Sequence, residues 1–439
     1  MKRLIKLLEV QQTYFIYDIE GVNLYKIDRK LYESLKTNEV SFDEVIPISN
    51  NDLVTNAKKH ISNIHLNVAQ VCNLVCGYCY GIEGEYGLKG KMKEGNALRA
   101  IDYLIENSGD EKKLTVVFFG GEPLLNFPLI KTVVDYCVKK EKEISKKIGF
   151  EIVTNGTKFD DEINNFLNHF NFEVTISFDG DKETQDKNRP FRGGKGSYDK
   201  TLPKIKSFLD SRNGNATARA TITNHSKDLL HYRNNLRSMG FRNSFVEVAT
   251  LSDFSKEKYN LEDTDTLQKK NLIKYDKDEL NEFLVNIKER NSLSYFKSTK
   301  YAKYINQLIT KSKKVDFCGV SRSMRGIAVN GDVYPCHRFV GDNDFKIGNV
   351  KNENNNKEKE FDLDFVNTHP QCKGCFAKYY CGGGGCIHNN YIKNGAIDKL
   401  DLEHCHRMHN KIKSLFKFYD DLTLEDRKYM VEQLNIEIN

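Results

Sequence analysis

Three cysteines within one short segment constrain this chain more than any other feature of its sequence. Cys72, Cys76 and Cys79 directly follow an apolar run over residues 61–71 that predicts a strand. Three thiolates at this spacing can bind three corners of a cubic iron–sulfur cluster and leave the fourth iron open for chemistry. The alternative is half of a zinc site or a cluster of reactive thiols, because Cys-x-x-Cys pairs occur in both.

The other cysteines form a C-terminal group and one isolated residue. The group comprises Cys318, Cys336, Cys372, Cys375, Cys381, Cys386 and Cys405. Seven cysteines can supply four ligands to one cluster and three to another, although Cys-x-x-Cys pairs with nearby histidines also build zinc sites. Four glycines between Cys381 and Cys386 leave backbone N–H groups free to bond to ligating sulfurs. Cys137 is predicted to be a buried thiol in a helix.

Length and charge indicate a multidomain protein without a nucleic-acid or membrane partner. The chain has 439 residues, which favours two or three domains. Its net charge of +6 is spread without a dense basic run, whereas nucleic-acid binders concentrate their charge. No apolar run approaches the roughly 18 residues that a membrane span needs, and the start lacks a signal-peptide pattern. We therefore expect a cytoplasmic protein, in which eleven cysteines are hard to explain as disulfides and all except Cys137 are candidate metal ligands.

The order of predicted elements divides the chain into five segments. Residues 1–55 show three strands and then a helix capped by Asp28, the outline of a winged-helix-like module; a structural cap on the next domain is the alternative. Residues 60–255 alternate strands with helices, which predicts an α/β fold with a parallel sheet. The remaining segments are a helical linker (256–312), a cysteine-rich domain (313–415) and a helical tail (416–439).

Candidate site residues follow the predicted strands of the second segment. The strands are predicted over 61–71, 114–119, 150–154, 172–178, 216–223 and 245–250. In parallel α/β folds the chemistry collects at the C-terminal strand ends, where Cys72, Gly120, Asn155 and Asp179 fall. Each Gly-Gly, Asn-Gly or Asp-Gly sequence alone is typical of an ordinary turn. Their shared position at the strand ends is what indicates a binding site.

Several motifs resemble those of radical S-adenosylmethionine (SAM) enzymes that have a C-terminal SPASM domain. They are the cysteine triad, GGEP at 120–123, and SFDGDKETQDKNRPFRGGKGSYDK followed by ARATIT, and the resemblance covers about residues 60–410. It implies a partial (β/α)6 TIM-type barrel whose cluster binds SAM. With Asn155, the implied cofactor contacts are Tyr78, Gly120, Gly121, Glu122, Pro123, Ser177, Asp179 and Arg219. Gln185 stands where histidine is usual and is assigned no role.

The resemblance also implies two auxiliary clusters, and therefore three [4Fe–4S] clusters. Family pairing assigns Cys372, Cys375, Cys381 and Cys405 to one auxiliary cluster, and Cys318, Cys336 and Cys386 to the other. Four residues separate Cys381 from Cys386, where three are common. The second set lacks the fourth cysteine that some relatives have, which implies an open iron able to take a substrate thiolate.

The residues around Cys336 favour one group of relatives. Sulfatase-maturing enzymes usually have Asp after this cysteine, whereas PCHRFVG at 335–341 is similar to the PCHxFVG element of thioether-forming (sactipeptide or ranthipeptide-type) maturases. With GIEGEYGLKG at 81–90, this implies a radical SAM oxidoreductase that forms a cysteine thioether in a ribosomally made precursor peptide. His337 is either a base, since its ordinary pKa is near neutrality, or a structural residue.

The implied partners are a cysteine-containing precursor peptide, bound by residues 1–55, and a flavodoxin or ferredoxin as reductant. Two other peptide reactions remain open, namely anaerobic sulfatase maturation and carbon–carbon cross-linking. A protein of another class, a zinc-binding regulatory or peptide-binding protein, is the non-enzymatic alternative.

Overall fold

The computed structural model describes residues 4–46, 60–224, 226, 229–262, 266–320, 322–354, 360–361 and 363–437. The strands are β1 (Ile5–Val10), β2 (Thr13–Asp18), β3 (Asn23–Ile27), β4 (Asn63–Gln70), β5 (Gly90–Lys91), β6 (Lys113–Gly120), β7 (Lys147–Thr154), β8 (Glu173–Ser177), β9 (Thr217–Ile222), β10 (Asn243–Val248), β11 (Met324–Ile327), β12 (Asp332–Tyr334), β13 (Gly348–Asn349) and β14 (Asn352–Asn354). The helices are α1 (Arg29–Lys36), α2 (Phe42–Val45), α3 (Glu94–Glu106), α4 (Phe127–Glu143), α5 (Asp161–His169), α6 (Lys182–Asn188), α7 (Tyr198–Asp210), α8 (Leu229–Ser238), α9 (Asp253–Tyr259), α10 (Thr266–Lys288), α11 (Lys300–Thr310), α12 (Phe365–Thr368), α13 (Pro370–Lys373), α14 (Lys378–Cys381), α15 (Ile387–Asn394), α16 (Leu402–Asp420) and α17 (Leu424–Leu434).

The chain divides by its internal contacts into two compact units. The first unit comprises Met1–Ala57, Leu272–Cys318 and Asp364–Asn439, and the second comprises Lys58–Asn271 and Gly319–Leu363. The five segments drawn from the sequence stay predictions, and the boundary at residue 55 lies outside the described residues. Among the helices that the structure describes, none has both the length and the apolar character needed to cross a bilayer.

A mixed sheet forms the centre of the second unit. Its strand order is β10-β9-β8-β7-β6-β4-β11-β12-β13-β14, with β5 paired to β4. The strands from β10 through β4 are parallel to their neighbours, as is β11 to β4, whereas the later pairs are antiparallel. The strands predicted from the sequence are confirmed, and together with the helices they form an α/β fold. Curvature of this sheet into a partial barrel stays a prediction.

The two faces of the parallel sheet differ in chemistry. On β4, Ile64, Leu66 and Val68 are fully buried and form the apolar face of the strand, against which α3 packs. Successive side chains of a strand point to opposite faces, so Asn63, His65 and Asn67 share the other face. Parallel sheets usually have apolar residues on both faces. A polar face on such a sheet is therefore available to line a binding chamber.

The first unit contains the N-terminal sheet. Strands β1, β2 and β3 form an antiparallel sheet in that order. The Asp28 carboxylate accepts a hydrogen bond of 2.8 Å from the Leu31 backbone and begins α1, which confirms the predicted cap. The winged-helix-like character of this segment stays a prediction.

The N-terminal sheet shares a hydrophobic core with helices from later in the chain. The Tyr17 ring lies 4.8 Å from the ring of Phe416 on α16, measured between centroids. Phe376 and Tyr380, from the cysteine-rich segment, belong to the same core. Within the first unit, the sheet and the segment that carries Cys372, Cys375 and Cys381 therefore depend on one another for burial.

Candidate active site

The cysteine triad lies on the loop that follows β4. Cys72, Cys76 and Cys79 are partly buried free thiols, and the Cys79 amide donates to the Cys76 carbonyl at 3.0 Å. Burial, followed by the nearby Glu122 carboxyl, raises the pKa of Cys72 to about 12. Burial also raises the pKa of Cys76 and Cys79. The thiolate forms therefore need a compensating positive charge, which a bound metal would supply.

Hydrogen-bond donors surround the sulfur atoms of the triad. The backbone N–H groups of Gly81, Glu83 and Gly84 bond to the Cys79 sulfur and lower its pKa against the effect of burial. The Leu74 amide donates to the Cys72 sulfur at 3.4 Å. Such donors stabilise thiolate ligands and tune iron–sulfur clusters.

No three His, Cys, Asp or Glu side chains in the described residues are grouped so as to hold a single metal ion. Each cysteine of a cubic cluster binds its own iron, so these ligands are spaced more widely than those of one ion. The donor set of the triad, three sulfurs with N–H groups directed at two of them, fits an iron–sulfur cluster.

The GGEP motif at the end of β6 fixes the neighbouring loops. Glu122 is fully buried, and its carboxylate accepts bonds of 2.8 Å from the Thr154 hydroxyl and the Asn155 amide. A Cβ at Gly121 would overlap the Val71 carbonyl, so only glycine fits there. Pro123 begins a 3₁₀ turn, and Gly120, at φ +128°, accepts from the Tyr86 hydroxyl. Glu122 therefore joins the ends of β6 and β7, and the predicted cofactor contacts of residues 120–123 stay predictions.

Asn155 holds the loop that carries Cys72. Its side-chain amide donates to the Asn73 side chain at 3.0 Å and contacts the Cys72 sulfur at 3.7 Å. Its carbonyl oxygen accepts from the hydroxyl of Thr157 at 2.6 Å, and that hydroxyl accepts from Asn73 at 2.8 Å. Sequence reasoning missed Asn73 and Thr157, because their pairing depends on the fold.

Tyr78 lies between two buried charges. Its hydroxyl donates to Asp179 at 2.8 Å and accepts from the Arg189 guanidinium at 2.7 Å. Burial raises the pKa of Asp179, while Arg189 and the hydrogen bonds from Thr221 and Tyr78 oppose that effect. Sequence reasoning assigned no role to Arg189, although it is one of two arginines in the quoted SFDG run.

Gln185, which replaces the usual histidine, has a structural role. Its side-chain oxygen accepts from the Asp179 amide at 2.9 Å, and its side-chain N–H donates to the Ser197 hydroxyl at 2.9 Å. Gln185 thereby supports the backbone that positions Asp179.

Ser177 and Arg219 are brought together on the polar face of the sheet. They are register partners on the parallel strands β8 and β9. The Arg219 guanidinium lies 3.5 Å from the Glu247 carboxylate and is partly exposed. Their predicted contacts with a cosubstrate stay predictions.

His337 packs among aromatic rings beside β4. Its ring stacks on His65, with centroids 4.3 Å apart, and lies 4.7 Å from Phe119. A Cβ at Gly341 would overlap the Tyr86 carbonyl. The GIEGEYG element at 81–87 and the PCHRFVG element at 335–341 are distant along the chain, yet they meet within the second unit.

Four C-terminal cysteines gather in the first unit. Burial raises the pKa of Cys405 to about 12, and the proximity of Cys381, Cys372 and Cys375 adds to the shift. The four glycines after Cys381 all have positive φ, between 68° and 84°. Their N–H groups bond to sulfur, from Gly383 and Gly385 to Cys381 and from Gly384 to Cys372. Bonds from glycine N–H groups to sulfur are thus present at three of the four glycines, and the binding of a metal by these sulfurs stays a prediction.

Histidines also contact this group. His409 Nε2 lies 3.1 Å from the Cys375 sulfur, and His404 Nε2 lies 3.7 Å from the Cys381 sulfur.

Cys137 is fully buried in α4, as predicted. Cys318 and Cys386 belong to the first unit and Cys336 to the second, and their pairing stays a prediction.

Part of this chain is similar to known proteins. Residues 66–224 match the model of the radical SAM superfamily. The radical SAM cyclopropyl synthase TigE of Paramaledivibacter caminithermalis is 25% identical over 82% of this chain and 76% of its own length. The cysteine-type anaerobic sulfatase-maturating enzyme of Clostridium novyi is 25% identical over 79% of this chain and 93% of its own. The solved structure of native anSMEcpe with bound AdoMet has a TM-score of 0.66 at 18% identity, over 82% of this chain and all of its own, and shows the same fold.

Proposed function

Because this chain carries a radical SAM domain and is related to peptide-modifying enzymes of that superfamily, we propose that it joins a cysteine sulfur to a carbon of a ribosomally made precursor peptide. In this proposal Cys72, Cys76 and Cys79 hold a [4Fe–4S] cluster. When bound, that cluster and SAM supply a 5′-deoxyadenosyl radical, which removes a hydrogen atom from the peptide. The observation that carries the assignment is the set of N–H groups directed at the triad sulfurs, at the C-terminal end of β4.

The chain's own residues position the reactants. Tyr78, held by Asp179 and Arg189, fixes the segment between Cys76 and Cys79. Arg219 and Ser177, on the polar face, are suited to bind the carboxylate of SAM. The rest of that face is left for the peptide.

The residue after Cys336 favours the thioether over sulfatase maturation. It is His337, where sulfatase-maturing enzymes usually have Asp, and its ring lies among those of His65, Phe119 and Tyr80. The similarity to a sulfatase-maturating enzyme keeps that reaction, or a carbon–carbon cross-link, as the second candidate.

Two auxiliary [4Fe–4S] clusters belong to the proposal. Cys372, Cys375, Cys381 and Cys405 would hold one, and the glycine N–H groups that bond to Cys381 and Cys372 suit thiolate ligands. Cys318, Cys336 and Cys386 would hold the other.

The N-terminal sheet is the proposed binding site for the precursor. In the part of the chain that the structure describes, no strand pairs with the outer edge of β1 or β3. An open strand edge can bind an extended peptide by main-chain hydrogen bonds. A flavodoxin or ferredoxin would supply the electron that cleaves SAM. Formation of the carbon–sulfur bond would release the thiol proton and one electron, which an auxiliary cluster would accept.

Anaerobic reconstitution followed by mass spectrometry tests the proposal. We expect a brown protein that converts SAM to 5′-deoxyadenosine, and a cysteine-containing precursor that loses two hydrogens and one alkylatable thiol. A peptide aldehyde, trapped by a hydrazine, would show sulfatase-type maturation instead. A colourless protein that binds zinc and cleaves no SAM would contradict the enzymatic assignment.

A further inference from the structure

Three polar side chains on β4 leave polar atoms without partners. Asn67 is fully buried, and neither its Oδ1 nor its Nδ2 has a hydrogen-bond partner within the described residues. In the same described region, Asn63 Oδ1 and His65 Nδ1 also lack partners. We call Asn63, His65 and Asn67 the β4 polar row.

The β4 polar row lowers the stability of the fold unless another molecule forms hydrogen bonds with it. A buried amide without a partner loses its bonds to water and gains none in return, so it opposes folding. An apolar side chain of similar shape would avoid this cost. A row of such atoms on one face is therefore more readily explained by a ligand than by packing.

The position of the row favours the substrate over SAM as that ligand. Asn67 is the register partner of Phe119, and the His65 ring stacks on His337. The predicted SAM contacts at Asn155 and Ser177 follow β7 and β8, which β6 separates from β4. Those at 120–123 follow β6 and begin beyond Phe119, toward the C-terminal strand ends. The row thus lies between the triad loop and the element that contains His337.

The spacing of the row matches an extended peptide. Alternate side chains of a strand are about 6.6 Å apart, and alternate peptide groups of an extended chain repeat at the same distance. A side-chain amide offers one acceptor and a donor side by side, which is the complement of a peptide group. Gly326, opposite His65 on β11, leaves room for the backbone of Cys336 and His337 to lie close to the strand.

We propose that the β4 polar row binds the main chain of the substrate peptide in an extended conformation, with Asn67 bonded to a peptide group next to the residue that is modified. This inference rests on the proposed function and specifies how its substrate is held. Asn67 is here a positioning residue, since it holds the peptide and does not touch the reacting atoms.

The substitution Asn67→Leu tests the row in the reconstituted full-length enzyme. We expect its thermal unfolding midpoint to rise, because an unsatisfied amide is removed, and its affinity for a fluorescein-labelled precursor to fall about tenfold. The matched control is Asn126→Leu, since the Asn126 amide donates to the Val68 and Met92 carbonyls at 2.9 and 3.2 Å. The control variant should unfold at a lower temperature.

Peptides with a single N-methylated amide provide the second measurement. N-methylation at the amide that faces Asn67 should weaken binding to the wild type about tenfold and have little further effect on the Asn67→Leu variant. A variant that unfolds more readily, binds the precursor like the wild type, or loses affinity for SAM instead would overturn the role of the row. A wild-type enzyme that binds and modifies no precursor would overturn the proposed function, and the row with it.

Discussion

A single phenol oxygen joins two buried charges beside the cysteine triad. Asp179 and Arg189 are 1% and 6% exposed, and both bond to the Tyr78 hydroxyl. Buried charges need partners with good geometry, because they have lost their hydration. The Tyr78 hydroxyl therefore links the triad loop to both charges, alongside the backbone bonds from Val75 to Pro190 and from Gly77 to Asn188.

The substitution Tyr78→Phe removes that oxygen and leaves the ring. We expect a loss of about 1–3 kcal/mol in the free energy of unfolding, since Asp179 and Arg189 each lose a hydrogen bond. Urea titration followed by circular dichroism measures this loss. The control is Tyr136→Phe, whose partly buried hydroxyl donates to Asp102 at 2.7 Å and should contribute less than about 1 kcal/mol. Equal losses in the two variants would contradict the special role of Tyr78.

The contact between His409 and Cys375 should affect the midpoint potential of the proposed auxiliary cluster. A hydrogen bond from imidazole N–H to a ligating sulfur stabilises the more negative, reduced state of a cluster. If Cys375 is a ligand as proposed, His409→Phe should lower the midpoint potential of one auxiliary cluster in an EPR-monitored titration. The exposed His406 lies on the same helix, and His406→Phe is the control. An unchanged potential, or an equal shift in the control, would show that His409 is not a donor to the cluster.

At the scale of elements, a buried ion cluster joins α10 to α16 in the first unit. The Asp276 carboxylate bonds to Arg407 at 3.0 and 3.2 Å and to Lys411 at 3.1 Å. Burial raises the pKa of Asp276, but the charges of Lys411 and Arg407 outweigh burial and hold it below its ordinary value. Because the folded pKa is the lower one, ionised Asp276 stabilises the fold above the unfolded pKa of about 3.9, and this stability is lost as the pH falls through the folded pKa.

Asp276→Asn should therefore lower stability in a pH-dependent way. At neutral pH we expect a loss of about 3–5 kcal/mol, because the buried Lys411 and the partly buried Arg407 lose their bonds to the carboxylate. Below about pH 4 the difference from the wild type should shrink, as the wild-type carboxyl is protonated. Denaturant titrations between pH 3 and pH 7 measure both effects. Asp420→Asn is the control, since its partner Lys26 is 61% exposed and such pairs contribute at most about 1 kcal/mol. A constant difference across this pH range would contradict the assignment.

The sequence predicted the elements better than the contacts between them. Apolar runs located β4 and the strands from β6 to β10, because burial against helices requires them, but not the two-residue β5. The same reasoning placed Gly120 and Asn155 at strand ends, where the structure has them. It missed Arg189, whose partner Tyr78 lies in a distant segment, since spacing along the chain carries no information about such pairs. The alternation of Ile64, His65, Leu66 and Asn67 was visible, but the polar face it implies was not recognised.

At the scale of the molecule, the N-terminal sheet is part of the core of the first unit. Glu20 accepts bonds of 2.6 Å from both Lys378 and Tyr379, and Lys378 is 4% exposed. Leu8 and Phe15 are buried in the core that also contains Phe376. Residues 1–55 were predicted to be a peptide-binding module or a structural cap, and these contacts give the segment a structural role whether or not it binds a peptide.

Deletion of residues 1–55 should therefore prevent stable folding of the first unit, besides any effect on precursor binding. Each large apolar side chain removed from the core lowers the free energy of unfolding by about 1.5–3 kcal/mol. The loss of Leu8, Phe15, Tyr17 and their neighbours therefore approaches the total stability of a typical domain, about 5–15 kcal/mol. We expect the truncated chain to aggregate or to be digested rapidly by protease, and to retain less iron than the full chain after reconstitution. The matched variant is Tyr25→Ala on β3, outside that core, which should leave the protein folded. A truncated protein that folds with full iron content, but no longer binds the precursor, would show instead that the sheet is a separable recognition module.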